Sequence, residues 1–488
     1  MLSDPPASVP IVALHLTSQQ LDRAAGTLVG LAVGDALGAP YEFGPGTPNP
    51  EMTGGGGLRW EPGEWTDDTQ MTVCIAEETA TGTIDPLAVG ERFLDWFRGR
   101  PKDVGVQTSS VLGAVSSSDG LTAAAADHFA RHPHNSAGNG SLMRTAPVAL
   151  AHLGDDAAIV ESATAISNLT HGDPLAAEAC VLWCVAIDRA VRDERFDGIY
   201  EGLDLLPRSS RDRWADWLDQ ADQGRTSDFK NNGFVVTVLQ LAHLVCRGPE
   251  MTDDESFACR FVYHALRRVI SVGGDTDTTA AIAGALLGAR FGTSAFPQEW
   301  TSILHGWPGY DARDLVRLAV RTARGGIGAQ DRWPDISSMR DEYVRSGGLG
   351  PSAILLNEDE DIWVGGFAAL EEAERFDVIV SLCRVGRKDT PGDGIRVAPW
   401  MIDAEGQNPN LDFMLSDLAR QLCTWRDEGK SVLIHCVRAE ARTPAVAAAY
   451  LAESNSLSGD QGWRLAEVKL PSARENHDFM HALNRVWG

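Results

Sequence analysis

The chain has 488 residues, 43% hydrophobic and 23% charged, which excludes a disordered tail and sets two domains as the expectation, with length enough for a third. Its 68 acidic against 42 basic residues give a formal net charge of -26. A surface that acidic repels nucleic acid and anionic lipid in bulk, but a local cluster of donors can still hold a small anionic ligand. Eight cysteines are scattered without a Cys-x-x-Cys pair, the opening MLSDPPASVP is unlike a signal peptide, and no run of about 18 apolar residues occurs. A cytoplasmic protein with no membrane span is therefore expected.

Residues 1–16 read as a flexible arm. A helix is expected from Thr17, because Thr17-Ser18-Gln19-Gln20 has the form of a capping box. Along it Gly26, Gly30, Gly34 and Gly38 recur every four residues. That stripe lies on one helical face and lets a second helix backbone come close. From there to residue 325 the pattern is helix after helix, alanine-rich, with Gly and Pro at the breaks. Residues 17–325 are thus expected to form an all-α domain.

Two segments within it carry candidate chemistry, Trp65-Thr66-Asp67-Asp68-Thr69 and Gly274-Asp275-Thr276-Asp277-Thr278. Each stands where a helix is expected to begin, where free N–H groups favour ionised carboxylates. Asp and Thr are also favoured caps at any helix start. Their pairing in one domain points further, since carboxylates and hydroxyls are hard oxygen ligands suited to Mg²⁺ or Mn²⁺. His128, His132 and His134 read as solvated surface, and Cys180 and Cys184 as packing residues.

The composition changes at 326–351, where Gly, Ser and Pro mark an expected linker. Residues 352–488 then read as a small α/β domain, because DIWVGG, FDVIVSLC, IRVAPW and SVLIHC are short β-rich runs among helical stretches. In the last of these, Cys436 follows a β-run and precedes Arg442 by six positions at an expected helix start. Such a loop can surround a phosphate with N–H groups and activate a thiol. Cys436 would attack phosphorus while Arg442 grips the equatorial oxygens.

Five motifs stand in order: Gly34-Asp35-Ala36-Leu37-Gly38 through Glu42, Thr66-Asp67-Asp68-Thr69, Gly138-Asn139-Gly140-Ser141 through Arg144, Leu169-Thr170-His171, and Gly274-Asp275-Thr276-Asp277-Thr278. Together they resemble the ADP-ribosylglycohydrolase family over residues 18–325. The resemblance implies removal of ADP-ribose from an acceptor, protein or small molecule. It implies a centre of two Mg²⁺ (or Mn²⁺) ions held by Thr66, Asp67, Asp68, Asp275, Asp277 and Thr278. Asp67 and Asp68 would serve catalysis with Glu42, which would approach the metal or gate the site. Gly138, Asn139, Gly140, Ser141 and His171 would line the ADP-ribose.

The second domain resembles the dual-specificity branch of the cysteine phosphatases. The resemblance rests on Ile362-Trp363-Val364-Gly365-Gly366, on Pro399-Trp400-Met401-Ile402-Asp403, on the Cys436–Thr443 loop and on Leu470-Pro471-Ser472-Ala473-Arg474. It implies a phosphorylated substrate, Asp403 as the acid that protonates the leaving oxygen, and Thr443 as the hydroxyl that eases thiolate departure. Two residues depart from the family pattern. Ala439 stands where the family has Gly, and Glu440 adds a negative charge. A slow phosphatase and a fold that binds phosphate without turnover both stay open. So do two readings of the whole chain, an ADP-ribose or phosphate reader or scaffold, and a hydrolase of small ADP-ribosylated or phosphorylated metabolites.

Overall fold

The computed structural model describes residues 9–12, 14–248, 257–326, 333–357 and 360–488. They fall into two units, Met1–Thr293 with Leu304–Ala329, and Ser294–Ile303 with Gln330–Gly488. Residues Ser294–Ile303, expected in the helical domain, thus group with the second unit.

The first unit is helical. Helix α1 (Ser18–Gly38) begins at a complete capping box on Thr17 and Gln20. Every residue of α1 from Leu21 to Gly38 is buried. So is every residue from Thr276 to Ala289 of a later helix, Thr276–Phe291. Helices buried on all sides form the centre of a fold rather than its surface. These two pack along the glycine stripe. A Cβ on Gly34 would fall on the Ala280 carbonyl, and one on Gly26 would meet the Gly288 carbonyl. Gly284 and Gly288 answer from the other side, against the carbonyls of Gly30 and Gly26. At the far end Thr276 Oγ1 donates to the Gly38 carbonyl at 2.9 Å. The stripe therefore sets where the end of α1 meets the start of its partner.

Helix α2 (Asp67–Thr79) and the Thr276–Phe291 helix, α3, begin at the two acidic segments. Two short ladders, Val9–Pro10 with Thr83–Ile84 and His305–Gly306 with Tyr310–Asp311, add local β-structure to an expected all-α domain. The first ties down part of the expected arm, of which residues 1–8 and 13 lie outside the described residues. His132 and His134 are exposed, and Cys180 and Cys184 are buried.

The second unit is built on a five-stranded sheet. Its strands are β1 (Ile354–Leu355), β2 (Ile362–Gly365), β3 (Val378–Ser381), β4 (Ile395–Val397) and β5 (Val432–His435). The order is β1-β2-β5-β3-β4, with β1 antiparallel and the remainder parallel. VIVS and VLIH are buried at every position, as central parallel strands covered on both faces must be. Helices α4 (Leu411–Asp427) and α5 (Arg442–Asn455) contribute Leu415, Leu422, Val446 and Tyr450 to the same core.

The expected linker is structured where it is described. Trp333, Ile336, Met339, Tyr343 and Leu349 pack against the core of the second unit. Residues Arg340–Arg345 form a helical turn. Asp389 accepts from Met339 N at 2.9 Å and from Ser338 Oγ at 2.5 Å. The Gly-rich composition hid the spaced apolar side chains that anchor the segment; residues 327–332 lie outside the described ones. No helix of the described residues is long and apolar enough to cross a membrane.

Candidate active site

The end of α1 and the starts of α2 and α3 converge on one acidic centre. Asp35 on α1 is fully buried. Its carboxylate accepts from Thr66 N at 3.0 Å, Thr69 N at 3.0 Å and Thr69 Oγ1 at 2.6 Å. Asp35 thereby caps α2 from outside that helix, satisfying N–H groups a helix start leaves open. Thr66 occupies the N-cap position, but its hydroxyl donates to Asp68 Oδ2 at 3.1 Å. Thr278 Oγ1 donates to the same oxygen at 3.3 Å. Asp68 Oδ1 is buried and has no hydrogen-bond partner.

Ligand atoms of Asp35, Asp68 and Asp277 lie within 4.8 Å of one another, as do those of Glu42, Asp275 and Asp277. Asp277 is common to both groups. Asp67 belongs to neither; its Oδ2 accepts from Gly105 N at 3.3 Å. Glu42 is drawn in by the backbone beside it, since Phe43 N donates to the Gly274 carbonyl at 2.7 Å and Gly274 N to Gly44 O at 3.1 Å. Gly273 and Gly274 hold φ of 78° and 77°, a region that favours glycine.

Burial and mutual repulsion push these carboxyls up. Burial first, then Asp103 and Asp35, raise Asp67 to about 8. Burial, then Asp103 and Asp275, raise Glu42 to about 8. Asp68 and Asp277 are held well above the ordinary carboxylate range, by burial and then by neighbouring acids. Asp35 rises only to about 6, because hydrogen bonds from Thr69 and Thr66 oppose its burial. Buried acids this close need protons or cations. The orphaned Asp68 oxygen, two acid groups sharing Asp277, and adjoining Thr hydroxyls fit two hard divalent ions.

The Gly138–Ser141 segment lies beside this centre. Asn139 Nδ2 donates to Asp275 Oδ2 at 2.7 Å and to Asn232 O at 3.0 Å. His171 faces the same turn; a Cβ on Gly140 would lie 3.1 Å from its Cε1, and one on Gly138 3.5 Å from its Nε2. The Ser141 hydroxyl points inward and accepts from Ser167 Oγ at 2.9 Å.

Sequence reasoning placed Asp35 in a motif without giving it a role, and passed over Asp103 and Asn232. Asn232 accepts from Asp275 N at 3.1 Å and donates to Gly273 O at 2.9 Å, fixing the start of α3. An acid in the smooth face of a Gly-striped helix was the available signal for Asp35. Asp103 and Asn232 stand in loops without spacing to mark them.

In the second unit, Cys436 follows β5 and is buried. Arg442 opens α5, donates to Leu382 O at 2.5 Å, and lies 3.6 Å from Asp403 Oδ2. Cys436 and Arg442 thus stand at the two ends of one loop, with Asp403 beside Arg442. Ala439 has φ of 54°, so the residue that departs from the family's Gly stands where glycine is favoured. Glu440 pairs with Arg438 at 3.4 Å and Arg474 at 4.0 Å, which offsets its charge. The Thr443 hydroxyl donates to Gly365 O at 3.3 Å.

A family model for ADP-ribosylglycohydrolase matches residues 16–330. The chain is 32% identical over 291 residues to the ADP-ribosyl-dinitrogen reductase glycohydrolase of Rhodospirillum rubrum, covering 58% of this chain and 90% of that one. It is 30% identical over 303 residues to the ADP-ribosylarginine hydrolase Tri1 of Pseudomonas putida, covering 59% of this chain and 76% of that one. Among solved structures, human DUSP28 is 18% identical, covers 29% of this chain and 95% of its own, and aligns with a TM-score of 0.24.

Proposed function

Because the chain belongs to the ADP-ribosylglycohydrolase family over residues 16–330, we propose that its helical unit hydrolyses the bond between ADP-ribose and an acceptor at a centre of two Mg²⁺ or Mn²⁺ ions. The observation that carries this reading is the buried acid cluster around Asp277, with one Asp68 oxygen left without a partner. Thr66, Asp67, Asp68, Asp275, Asp277 and Thr278 would hold the ions, with Glu42 at the margin. Bound ions would supply Lewis acidity and hold the ribose hydroxyls.

The chain's own residues then have separate tasks. Asp35 keeps the start of α2 in place through Thr66 and Thr69. Thr66 and Thr278 orient the Asp68 carboxylate. Asn139 ties the Gly138–Gly140 turn to Asp275, so the turn that receives ADP-ribose is registered on the acids. Carboxylates at this centre offset the positive charge that builds on the anomeric carbon as its bond breaks. The intact acid sets favour turnover over a reader role. The acceptor is an ADP-ribosylated protein or small molecule in a reducing cytoplasm.

For the second unit the reading is a cysteine-dependent phosphatase. It is supported by the Arg442–Asp403 pair at the end of the loop that Cys436 opens, and by the offset of Glu440's charge. Cys436 sulfur would bond phosphorus as the P–O bond to the leaving group breaks and that oxygen takes a proton from Asp403; water would then attack phosphorus, break the S–P bond to release phosphate, and return a proton to Asp403. The helical-unit reading is tested by incubating the full chain with arginine-linked and serine-linked ADP-ribosyl peptides in the presence of Mg²⁺ or Mn²⁺. Release of free ADP-ribose from either supports it, and no release from any acceptor refutes it.

A further inference from the structure

Arg144 is fully buried, and among the described residues it makes no ion pair. It stacks on Phe93 with its guanidinium carbon 4.6 Å from the ring centroid. A buried guanidinium without a carboxylate partner is costly, so its remaining contacts are informative. Nη1 donates to the Gly140 carbonyl at 3.0 Å, and Nη2 donates to Thr170 Oγ1 at 2.6 Å. Thr170 Oγ1 in turn lies 2.8 Å from His171 Nδ1.

The donor inventory favours one direction for these hydrogen bonds. A guanidinium only donates, so Thr170 Oγ1 accepts from Arg144. The Thr170 hydrogen must then go elsewhere, and His171 Nδ1 is the acceptor within reach. Among the described residues Thr170 Oγ1 meets only Arg144 and His171, so the arrangement that leaves its buried hydrogen paired puts the lone pair on Nδ1 and the hydrogen on Nε2. Burial and the positive charge of Arg144 hold the imidazole well below its ordinary range, which keeps it neutral. His171 is 2% exposed, and its Nε2 has no protein acceptor among the described residues. That nitrogen faces the α-carbons of Gly138 and Gly140, at 3.5 and 3.3 Å from where a Cβ would stand.

We infer that Arg144 and Thr170 are positioning residues that lock His171 as an Nε2–H donor, aimed at an anionic or hydroxyl oxygen of the ADP-ribosyl group beside the Gly138–Gly140 turn. The inference rests on the ADP-ribose reading for the identity of the ligand, but the tautomer is a property of the free protein. Arg144 also holds the Gly140 carbonyl, so one buried cation sets both the turn and the donor that faces it.

The tautomer is read by ¹⁵N NMR on histidine-labelled full chain, with binding measured by titration of ADP-ribose. Wild type should show a pyridine-type Nδ1 and a pyrrole-type Nε2 at His171. Thr170→Val keeps the buried shape but removes the hydroxyl; it should lose the single tautomer and weaken ADP-ribose binding roughly tenfold. Thr170→Ser should restore both. A protonated Nδ1 in wild type would overturn the relay, whatever the protein binds. Equal ADP-ribose affinity for wild type and Thr170→Val would overturn the donor role. A locked tautomer in a wild-type protein that binds no ADP-ribose would support the relay and count against the ADP-ribose reading instead.

Discussion

Stripping metal from the helical unit should invert the usual pH dependence of an acidic protein's stability. Asp67 is raised from an ordinary 3.8 to about 8 by burial, Asp103 and Asp35. Its folded form therefore holds a proton that the unfolded chain has already released. A group raised in this way stabilises fully below the unfolded value, and that stability is lost as pH rises through the folded value. The window runs from about 4 to about 8. Between pH 5.5 and 8 one such carboxyl removes about 3 kcal/mol, at roughly 1.4 kcal/mol per unit. Glu42, also raised to about 8, shares the same neighbours, so the combined loss is roughly 3–6 kcal/mol. At about 2 °C per kcal/mol for a unit of this size, the melting temperature should fall by roughly 6–12 °C. Differential scanning calorimetry of EDTA-treated protein at the two pH values reads this directly. Saturating Mg²⁺ should raise the transition and flatten its pH dependence. Asp277→Asn should raise the metal-free transition at pH 8 and abolish the response to Mg²⁺. A metal-free melting temperature that holds steady or climbs from pH 5.5 to 8 would refute the picture of crowded, proton-sharing acids.

Further outcomes follow from particular residues. Asp35→Asn places an amide where Thr66 N, Thr69 N and Thr69 Oγ1 all donate. It should cost about 2–4 kcal/mol and lower ADP-ribose release about 10- to 100-fold, checked by denaturant titration and initial rates. Gly34→Ala drives a methyl into the Ala280 carbonyl, and the unit should lose more than roughly 3 kcal/mol. Gly57→Ala, which meets nothing within 4 Å, should leave the melting temperature unchanged. Cys436→Ser should abolish hydrolysis of an aryl phosphate while ADP-ribose release continues, and Asp403→Ala should slow an alkyl phosphate more than an aryl one. Phosphate binding without turnover by the wild type would instead mark the second unit as a reader.

Local rules made part of this molecule legible. The capping box at Thr17 and the glycines at 26, 30, 34 and 38 are short-range patterns, and each has its counterpart in the structure. Thr66–Asp68 and Asp275–Thr278 were visible because the chemistry sits at helix starts. Asp35 stood inside a motif, but its task was not legible there, since that task depends on the start of α2, thirty-one positions away in the chain. Asn232 supports α3 across forty-three positions and carries no spacing that says so. The segment after residue 333 misled for a different reason. Its glycines and serines suggest a connector, while its energetics lie in Trp333, Met339 and Tyr343, which only a folded partner surface makes apolar anchors. The edge strand Ile354–Leu355 is two residues long and has no periodicity to detect.

The most direct measurement is the rate of ADP-ribose release from an arginine-linked ADP-ribosyl peptide by the exhaustively chelated full chain, before and after titration with Mn²⁺ or Mg²⁺. The expected result is no release without metal and recovery that saturates at two ions per chain. Undiminished release by the chelated protein would contradict a metal centre built on Asp68, Asp275 and Asp277.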